Sequence, residues 1–337
     1  MHHIMKKLTI LTIVFLSLFS CKEKQSNTSS ESVTEVNSER TKSSKTYAEV
    51  SIKEGGHWEG REYIDGTFKN VDSLTVPKEH TDHSWFIRYE GPGWENSQIG
   101  YRIYLDWRNA IDIYGKKVDS LVLPYVGQDG FDSYHEPANW GQDILKAGKS
   151  MGIGGYGRVV ADTVVHFQSV KNTFAKVENS GNSSSVNISY EDWKSGNDSI
   201  NLNSKLTIYP SDRFTKAELT PSKAIDGLCT GIVIAKDIKL VKKEGEKWAY
   251  IATYGVQTLA SPPDNLGMAL FYKLDEVAEQ KKGNHDHLVI FKPTTKTVTY
   301  YFLGAWEQEQ NGINTEEAFI ADLNMKLQLL NETNSII

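Results

Sequence analysis

The sequence predicts an all-β fold, a large antiparallel β-sandwich with a short C-terminal helix. Three observations carry that expectation. Strict alternation marks strands: SINLNSKLTIYP puts Ile200, Leu202, Leu206 and Ile208 on one face, and SVNISY does the same with Val186, Ile188 and Tyr190. Runs rich in β-branched and aromatic residues recur along the chain, as in RVVADTVVHF, RFTKAELT, HLVIFKP and KTVTYYF. Helix periodicity is concentrated in NTEEAFIADLNMKLQLLN, where Phe319, Ile320, Leu323, Leu327 and Leu330 form one stripe and Asn314 with Glu317 resembles a capping box. Many short strands followed by one late helix argue for a sandwich with the helix packed on a sheet. The last two strand candidates, separated by Thr294-Thr295 and neighbours, suit a hairpin.

Residues 1–21, MHHIMKKLTILTIVFLSLFSC, read as a lipoprotein signal peptide. Lys6 and Lys7 supply the positive start, Leu8 to Phe19 the apolar run, and Leu18-Phe19-Ser20-Cys21 a lipobox. The run is shorter than the roughly 20 apolar residues that cross a bilayer. Cleavage before Cys21 and lipidation of that thiol are expected; an unmodified secretory signal is the plainer alternative. This places the protein on a bacterial membrane by a lipid anchor only, with the outer membrane, facing periplasm or cell surface, as the expected location. Residues 22–48 are expected to form a disordered tether, because SNTSSESVTEVNSERTKSSK has almost no large apolar side chain to offset chain entropy. Residues 49–331 then form a single β-sandwich catalytic domain, with no repeat and no linker evident after residue 50.

Charge limits the partners. The chain carries −6, and losing residues 1–21 removes two lysines and no acids, leaving −8. Nucleic acid and anionic lipid are not expected partners. An anionic substrate needs a local basic pocket against this background. Cys229 is the only other cysteine, so no disulfide joins the body, and its apolar surroundings in IDGLCTGIV predict a buried inert thiol. No CxxC, HExxH or phosphate-loop motif occurs, and no cofactor is assigned. His285 and His287 alternate with Asp286 and share a strand face, but a third ligand is missing, so no metal is assigned. His57, near Trp58 and Arg61, suits a sugar site or a simple turn equally.

Three segments hold side chains suited to sugar chemistry: residues 80–117, 133–158 and 261–272. In YRIYLDW, alternation separates Tyr101, Ile103 and Leu105 from Arg102, Tyr104 and Asp106. If the apolar set is core, Arg102 and Asp106 share the other face. An exposed ion pair there is worth little, whereas Arg102 among tyrosines offers a fork for a carboxylate. Tyr134 and His135 precede Glu136 and a proline, hence sit in a loop or at a strand end, and both side chains can move protons. The stretch GQDILKAGKSMGIGG combines a short amphipathic turn, Lys146 and Lys149, and then Gly152, Gly154 and Gly155. Its glycines could present N–H groups to an anion or simply make a tight turn.

The run EGPGWENSQIGYRIYLDWRNAIDIYGKK, then YHEPANWGQDILKAGKSMGIGG and DNLGMA, resembles a lipoprotein family of polysaccharide-degrading bacteria known as domain of unknown function 4861. The resemblance spans roughly residues 50 to 330. It implies a β-sandwich like that of the galactose mutarotases, a supersandwich. It further implies an oligosaccharide dehydratase that removes water from the non-reducing-end glucuronate or iduronate of ulvan fragments and leaves a 4,5-unsaturated sugar. Such chemistry needs a base at C5–H, an acid at O4 and a cation for the carboxylate. Ranked by chemistry, Tyr134 and His135 come first as base and acid. Arg102 and Arg88 come first for the carboxylate, with Lys149 and Arg158 behind. Trp94 and Trp140 suit ring stacking or core, and Glu95 suits hydroxyl binding. Together these residues are expected to line a cationic cleft that binds an anionic oligosaccharide; the oligomeric state is left open. Two other classes compete: a non-catalytic glycan-binding lipoprotein, and a mutarotase or epimerase, for which fold analogy is the sole support. A glycosidase lacks an evident carboxylate pair.

Overall fold

The computed structural model describes residues 45–129 and 133–337. The signal peptide, Cys21 and residues 22–44 of the expected tether lie outside the described residues. The strand Thr46–Glu54 already contains the tether's last three residues, and Thr46 and Ala48 are buried. The body therefore starts earlier than composition suggested, because TYAEVSI is itself an alternating strand.

The architecture is all-β and antiparallel, in three main sheets with one C-terminal helix. The largest sheet has nine strands, in the spatial order Leu240–Glu244, Trp248–Val256, Asn265–Lys273, Val298–Trp306, Thr215–Pro221, Asp198–Ile208, Ser184–Ser195, Asn172–Asn179 and Ser73–Thr75. A five-stranded sheet runs Thr163–Val165, Ile153–Val160, Leu228–Val233, Asp286–Phe291, Val277–Lys282. A six-stranded sheet runs Thr67–Val71, Thr46–Glu54, Gly93–Asn96, Ile99–Ile103, Ile111–Lys116, Gly141–Asp143. One apolar core joins all three. Trp94, Tyr101 and Ile113 enter it from the six-stranded sheet, Tyr156, Ile232 and Val289 from the five-stranded one, and Leu206, Leu219 and Phe302 from the nine-stranded one.

The middle strands of the large sheet are apolar on both faces, which is why WAYIATYGV, NLGMALFYK and VTYYFLGAW do not alternate cleanly. One face, with Ile251, Leu270 and Phe302, meets the sandwich core. The other, with Tyr250, Phe271, Tyr301 and Leu303, is covered by the helix Glu316–Thr333 through Phe319, Leu323, Leu327 and Leu330. The predicted helical stripe is thus the buried one. Its cap is Thr315, whose hydroxyl accepts from Ala318 N at 3.2 Å, and not Asn314. None of the helices among the described residues is long and apolar enough to cross a membrane.

Two strand expectations change. RVVADTVVHF is a hairpin, because Ala161 and Asp162 take left-handed φ of 47° and 63° and reverse the chain. HLVIFKP and KTVTYYF do not pair: Asp286–Phe291 joins the five-stranded sheet and Val298–Trp306 the nine-stranded one. The intervening turn carries the chain from one layer to the other. The glycines after Lys149 serve close packing. A Cβ on Gly152 would lie 1.9 Å from the Ile111 carbonyl oxygen, and one on Gly154 would lie 2.2 Å from the Phe302 ring. The amphipathic turn expected before them is extended, and the nearby amides are taken, Met151 N by Asp286 and Gly152 N by Ser150.

Candidate active site

The six-stranded sheet has two unlike faces. Register fixes which residues share each, since directly opposed residues of an antiparallel pair point the same way. Ala48, Trp94, Tyr101 and Ile113 form one row and face the core. The rows beside it read Glu49, Gly93, Arg102, Asp112 and Tyr47, Glu95, Gly100, Tyr114, Asp143. Apart from Gly93 and Gly100 the residues of these two rows are polar, and Glu49, Glu95, Arg102, Asp112 and Asp143 make the face charged. Gly93 leaves room for it: a Cβ there would lie 2.9 Å from the Tyr89 hydroxyl, which donates to Glu49 at 2.6 Å.

Arg102 is the centre. Its Nη2 donates to Asp112 and Asp143, both at 2.9 Å, and to the Tyr104 hydroxyl at 2.7 Å. Its Nη1 donates to the Tyr134 hydroxyl at 2.9 Å and to the Tyr89 carbonyl at 3.2 Å. The rings of Tyr104, Tyr114 and Tyr134 surround the guanidinium at 4.5, 5.7 and 5.0 Å. Burial, together with the charge of Asp143, pushes the Asp112 carboxyl up to about 6, although Arg102 pulls it down. Burial likewise holds the Tyr134 phenol well above its ordinary value, so it stays protonated. Next to it His135 keeps 30% of its side chain exposed, with Nδ1 3.3 Å from Asp143 Oδ2 and its ring centroid 4.4 Å from that of Tyr134. Tyr134 thus bonds Arg102 directly, and His135 adjoins it through Asp143.

Arg88 lies on the same face, fully buried and paired with Glu49 through Nη2, while its Nε and Nη1 have no hydrogen-bond partner among the described residues. Other buried atoms without partners gather here too: Arg102 Nε, Asp112 Oδ1 and the Tyr114 hydroxyl. Buried polar atoms are nearly always satisfied, so such a cluster marks a place where something other than folding shaped the sequence. The backbone agrees. His83, Trp85, Tyr89, Glu90 and Asn109 all take left-handed φ, between 40° and 66°. Non-glycine residues pay about 1–3 kcal/mol each for that conformation, and they concentrate at functional sites.

Several expectations are corrected. The face is not a basic hollow. Glu49, Glu90, Glu95, Asp106, Asp112 and Asp143 oppose Arg88, Arg102, Arg108 and Lys116, so carboxylates outnumber cations. Arg102 is committed to two of them. Asp106 lies beyond the strand end and binds Arg108, not Arg102. Glu95 is fully buried, held by Lys116 Nζ at 2.8 Å and by the amides of Val122 and Leu123, so no hydroxyl reaches it. Trp94 is core: it is fully buried, stacks on Tyr101 and donates to Thr215 at 2.8 Å. Arg158 is structural, spent on the Asp226 and Ser195 carbonyls and on Asp198. Lys149 is exposed on the loop before the five-stranded sheet. Trp140 stays with the cluster, half-buried and edge-on to Tyr114 at 6.0 Å. The segment 261–272 is a core strand and its approach: Asp264 accepts from Trp306 Nε1 and Thr258. Cys229 is buried, its thiol pushed up by burial.

Glu49, Glu90, Arg108, Asp112, Tyr114 and Asp143 were not singled out from sequence, and Tyr104 only as a neighbour of Arg102 on its face. The signal was present in IDIYGK, where Asp112, Tyr114 and Lys116 alternate with Ile111 and Ile113 just as Arg102 does in the preceding strand. Among the described residues, one group of three ligand-type side chains, Asp82, His83 and Glu90, brings its atoms within 4.8 Å. Arg108 already lies 2.9 Å from Asp82 and 3.1 Å from Glu90, so the charge there is met by a guanidinium.

No curated protein matches the chain. Among solved structures it is similar to one described as "Putative kojibiose phosphorylase from human microbiome", with 12% identity and a TM-score of 0.40 over 71% of this chain. The chain spans about a third of that structure's length, 33%. The family model for domain of unknown function DUF4861 matches residues 13–334, and the chain belongs to that family.

Proposed function

We propose that the charged face of the six-stranded sheet is an acid–base site acting on the uronic-acid end of an oligosaccharide, and that its reaction is loss of water across C4–C5. The observation that carries this reading is the Asp143–His135 pair at the rim of a buried Arg102–tyrosine cluster. The imidazole of His135, 30% exposed with Asp143 beside its Nδ1, is assigned to take a proton from a ligand. Tyr134, kept protonated by burial, suits the opposite task. In the proposed step the C5–H bond breaks and its proton goes to His135. The electron pair forms C4=C5, the C4–O4 bond breaks, and Tyr134 gives its proton to the departing oxygen, which leaves as water. The uronate carboxylate is assigned to Arg88, whose buried Nε and Nη1 have no hydrogen-bond partner among the described residues, so this reading requires the face to open when substrate binds; Arg102 instead positions Tyr134. A lipid anchor at Cys21 on a bacterial membrane, on the strength of the lipobox, and ulvan fragments as substrate, on the strength of the sequence resemblance alone, complete the proposal.

Incubation with uronate-ended oligosaccharides, followed by mass spectrometry, tests it. The expected product is lighter by one water, and His135→Ala and Tyr134→Phe each slow its formation by about 10²–10⁴. Binding without a change of mass supports the receptor reading instead, and altered optical rotation at constant mass supports an epimerase or mutarotase.

A further inference from the structure

A second feature adjoins the charged face. A cavity of about 450 Å³ is walled by His80, Asp106, Trp107 and Gln168, with Lys78 and Lys171 also lining it. Its size falls within the ~300–1,000 Å³ of sites that hold small ligands. It is tied to the proposed active site by a chain of ion pairs. Asp106 holds Arg108, Arg108 reaches Glu90 at 3.1 Å, and Glu90 lies 3.9 Å from Arg102.

The lining is chemically mixed in a way that suits a sugar. Trp107 is 37% exposed, and a T-shaped contact with His166 fixes its orientation, so part of its surface remains for the C–H side of a pyranose ring. His80 is buried; Ser84 holds its Nδ1 at 2.7 Å, and its Nε2 has no well-aligned partner. Burial lowers its basicity, against the pull of Asp106 and of Glu90's carboxylate and backbone, so it forms an uncharged part of the cavity wall. Gln168, exposed, adds an amide donor and acceptor, while the Asp106 carboxylate is spent on Arg108. Lys78 is an exposed cation in a chain whose net charge is −6, and Lys171, though paired with Glu191, adds a second.

We infer that this cavity is a binding subsite for the sugar units that follow the reacting end, and that those units carry carboxylate or sulfate groups. The inference rests on the reading of the charged face as a carbohydrate site. It makes the protein selective for chains over single sugars.

Calorimetry with a uronate-ended, sulfated tetrasaccharide and with free glucuronate tests it on the whole protein. Trp107→Ala is expected to weaken tetrasaccharide binding about tenfold and leave glucuronate binding unchanged. Lys78→Glu, at an exposed position, is expected to weaken the tetrasaccharide alone in the same way. If both variants bind the tetrasaccharide like the wild type, or if the wild type binds it no better than glucuronate, the subsite is refuted. If Trp107→Ala weakens both ligands equally, the effect is structural and the subsite is again refuted. Tetrasaccharide bound through Trp107 without any loss of water leaves the subsite standing and removes the dehydratase reading.

Discussion

Arg88 and Arg102 look interchangeable as neighbouring cations, yet their surroundings assign them different work. Arg102 gives its guanidinium to Asp112, Asp143 and two tyrosine hydroxyls. Arg88 meets Glu49 through one nitrogen and keeps two. Arg88→Lys retains the charge and removes the fork. It should raise KM for a uronate-ended oligosaccharide by about 10–100-fold, a loss of ~1.4–2.8 kcal/mol, while kcat changes little. An equal fall in kcat with KM unmoved would show that Arg88 does not hold the ground-state carboxylate. Legibility at this scale was uneven. Tyr134, His135, Arg88 and Arg102 are readable as chemistry because their residue types are unusual in a β protein's interior. Glu95 and Trp94 misled, since a buried ion pair and a buried indole look the same in sequence as a binding acid and a stacking platform.

At the level of elements, the site depends on loops pinned to strands. Glu95 and Lys116 come from two strands of the six-stranded sheet, and Glu95 accepts from the amides of Val122 and Leu123 at the start of the short 3₁₀ turn Leu123–Tyr125. That turn leads into Val126, which packs with Tyr89 and Tyr134. Lys116→Met leaves a buried carboxylate uncompensated and should cost ~3–5 kcal/mol, measured by denaturant unfolding, whereas Lys116→Met with Glu95→Leu should recover much of it. If the single change costs under ~1 kcal/mol, the pair does not hold the loop. Strands of the outer sheet, such as Asp198–Ile208, were plain in the sequence because one face is solvated. Strands covered on both faces gave no alternation, and the pairing of Asp286–Phe291 with Val298–Trp306 was misjudged because a short turn can cross between layers as easily as it can close a hairpin.

For the whole molecule, stability and function make separate demands on buried charge. Asp286 lies far along the chain from the charged strands, buried in the five-stranded sheet with Oδ1 accepting from Met151 N at 3.0 Å. Burial raises its carboxyl to about 7 in the folded protein, against about 3.9 for a free aspartate. The folded state then holds a proton that the unfolded state releases between those values. The contribution of Asp286 to stability is therefore fullest below about pH 4, declines as pH rises toward 7 and stays reduced above it. Asp286→Asn should unfold at higher denaturant than the wild type at pH 8, by up to a few kcal/mol at ~1.4 kcal/mol per pKa unit, and the gap should close at pH 4. A gap of the same size at both pH values would mean that packing, not ionisation, sets it.

The antiparallel sandwich was readable from the chain. The single polar face within it was not, because register between strands cannot be read from one sequence. Proton NMR of a uronate-ended oligosaccharide during turnover probes that face most directly. The account predicts that the H5 signal disappears as a vinyl H4 signal grows, and that His135→Ala, still folded, shows neither change. An unchanged H5 signal with the wild-type protein, or a His135→Ala rate equal to wild type, contradicts it.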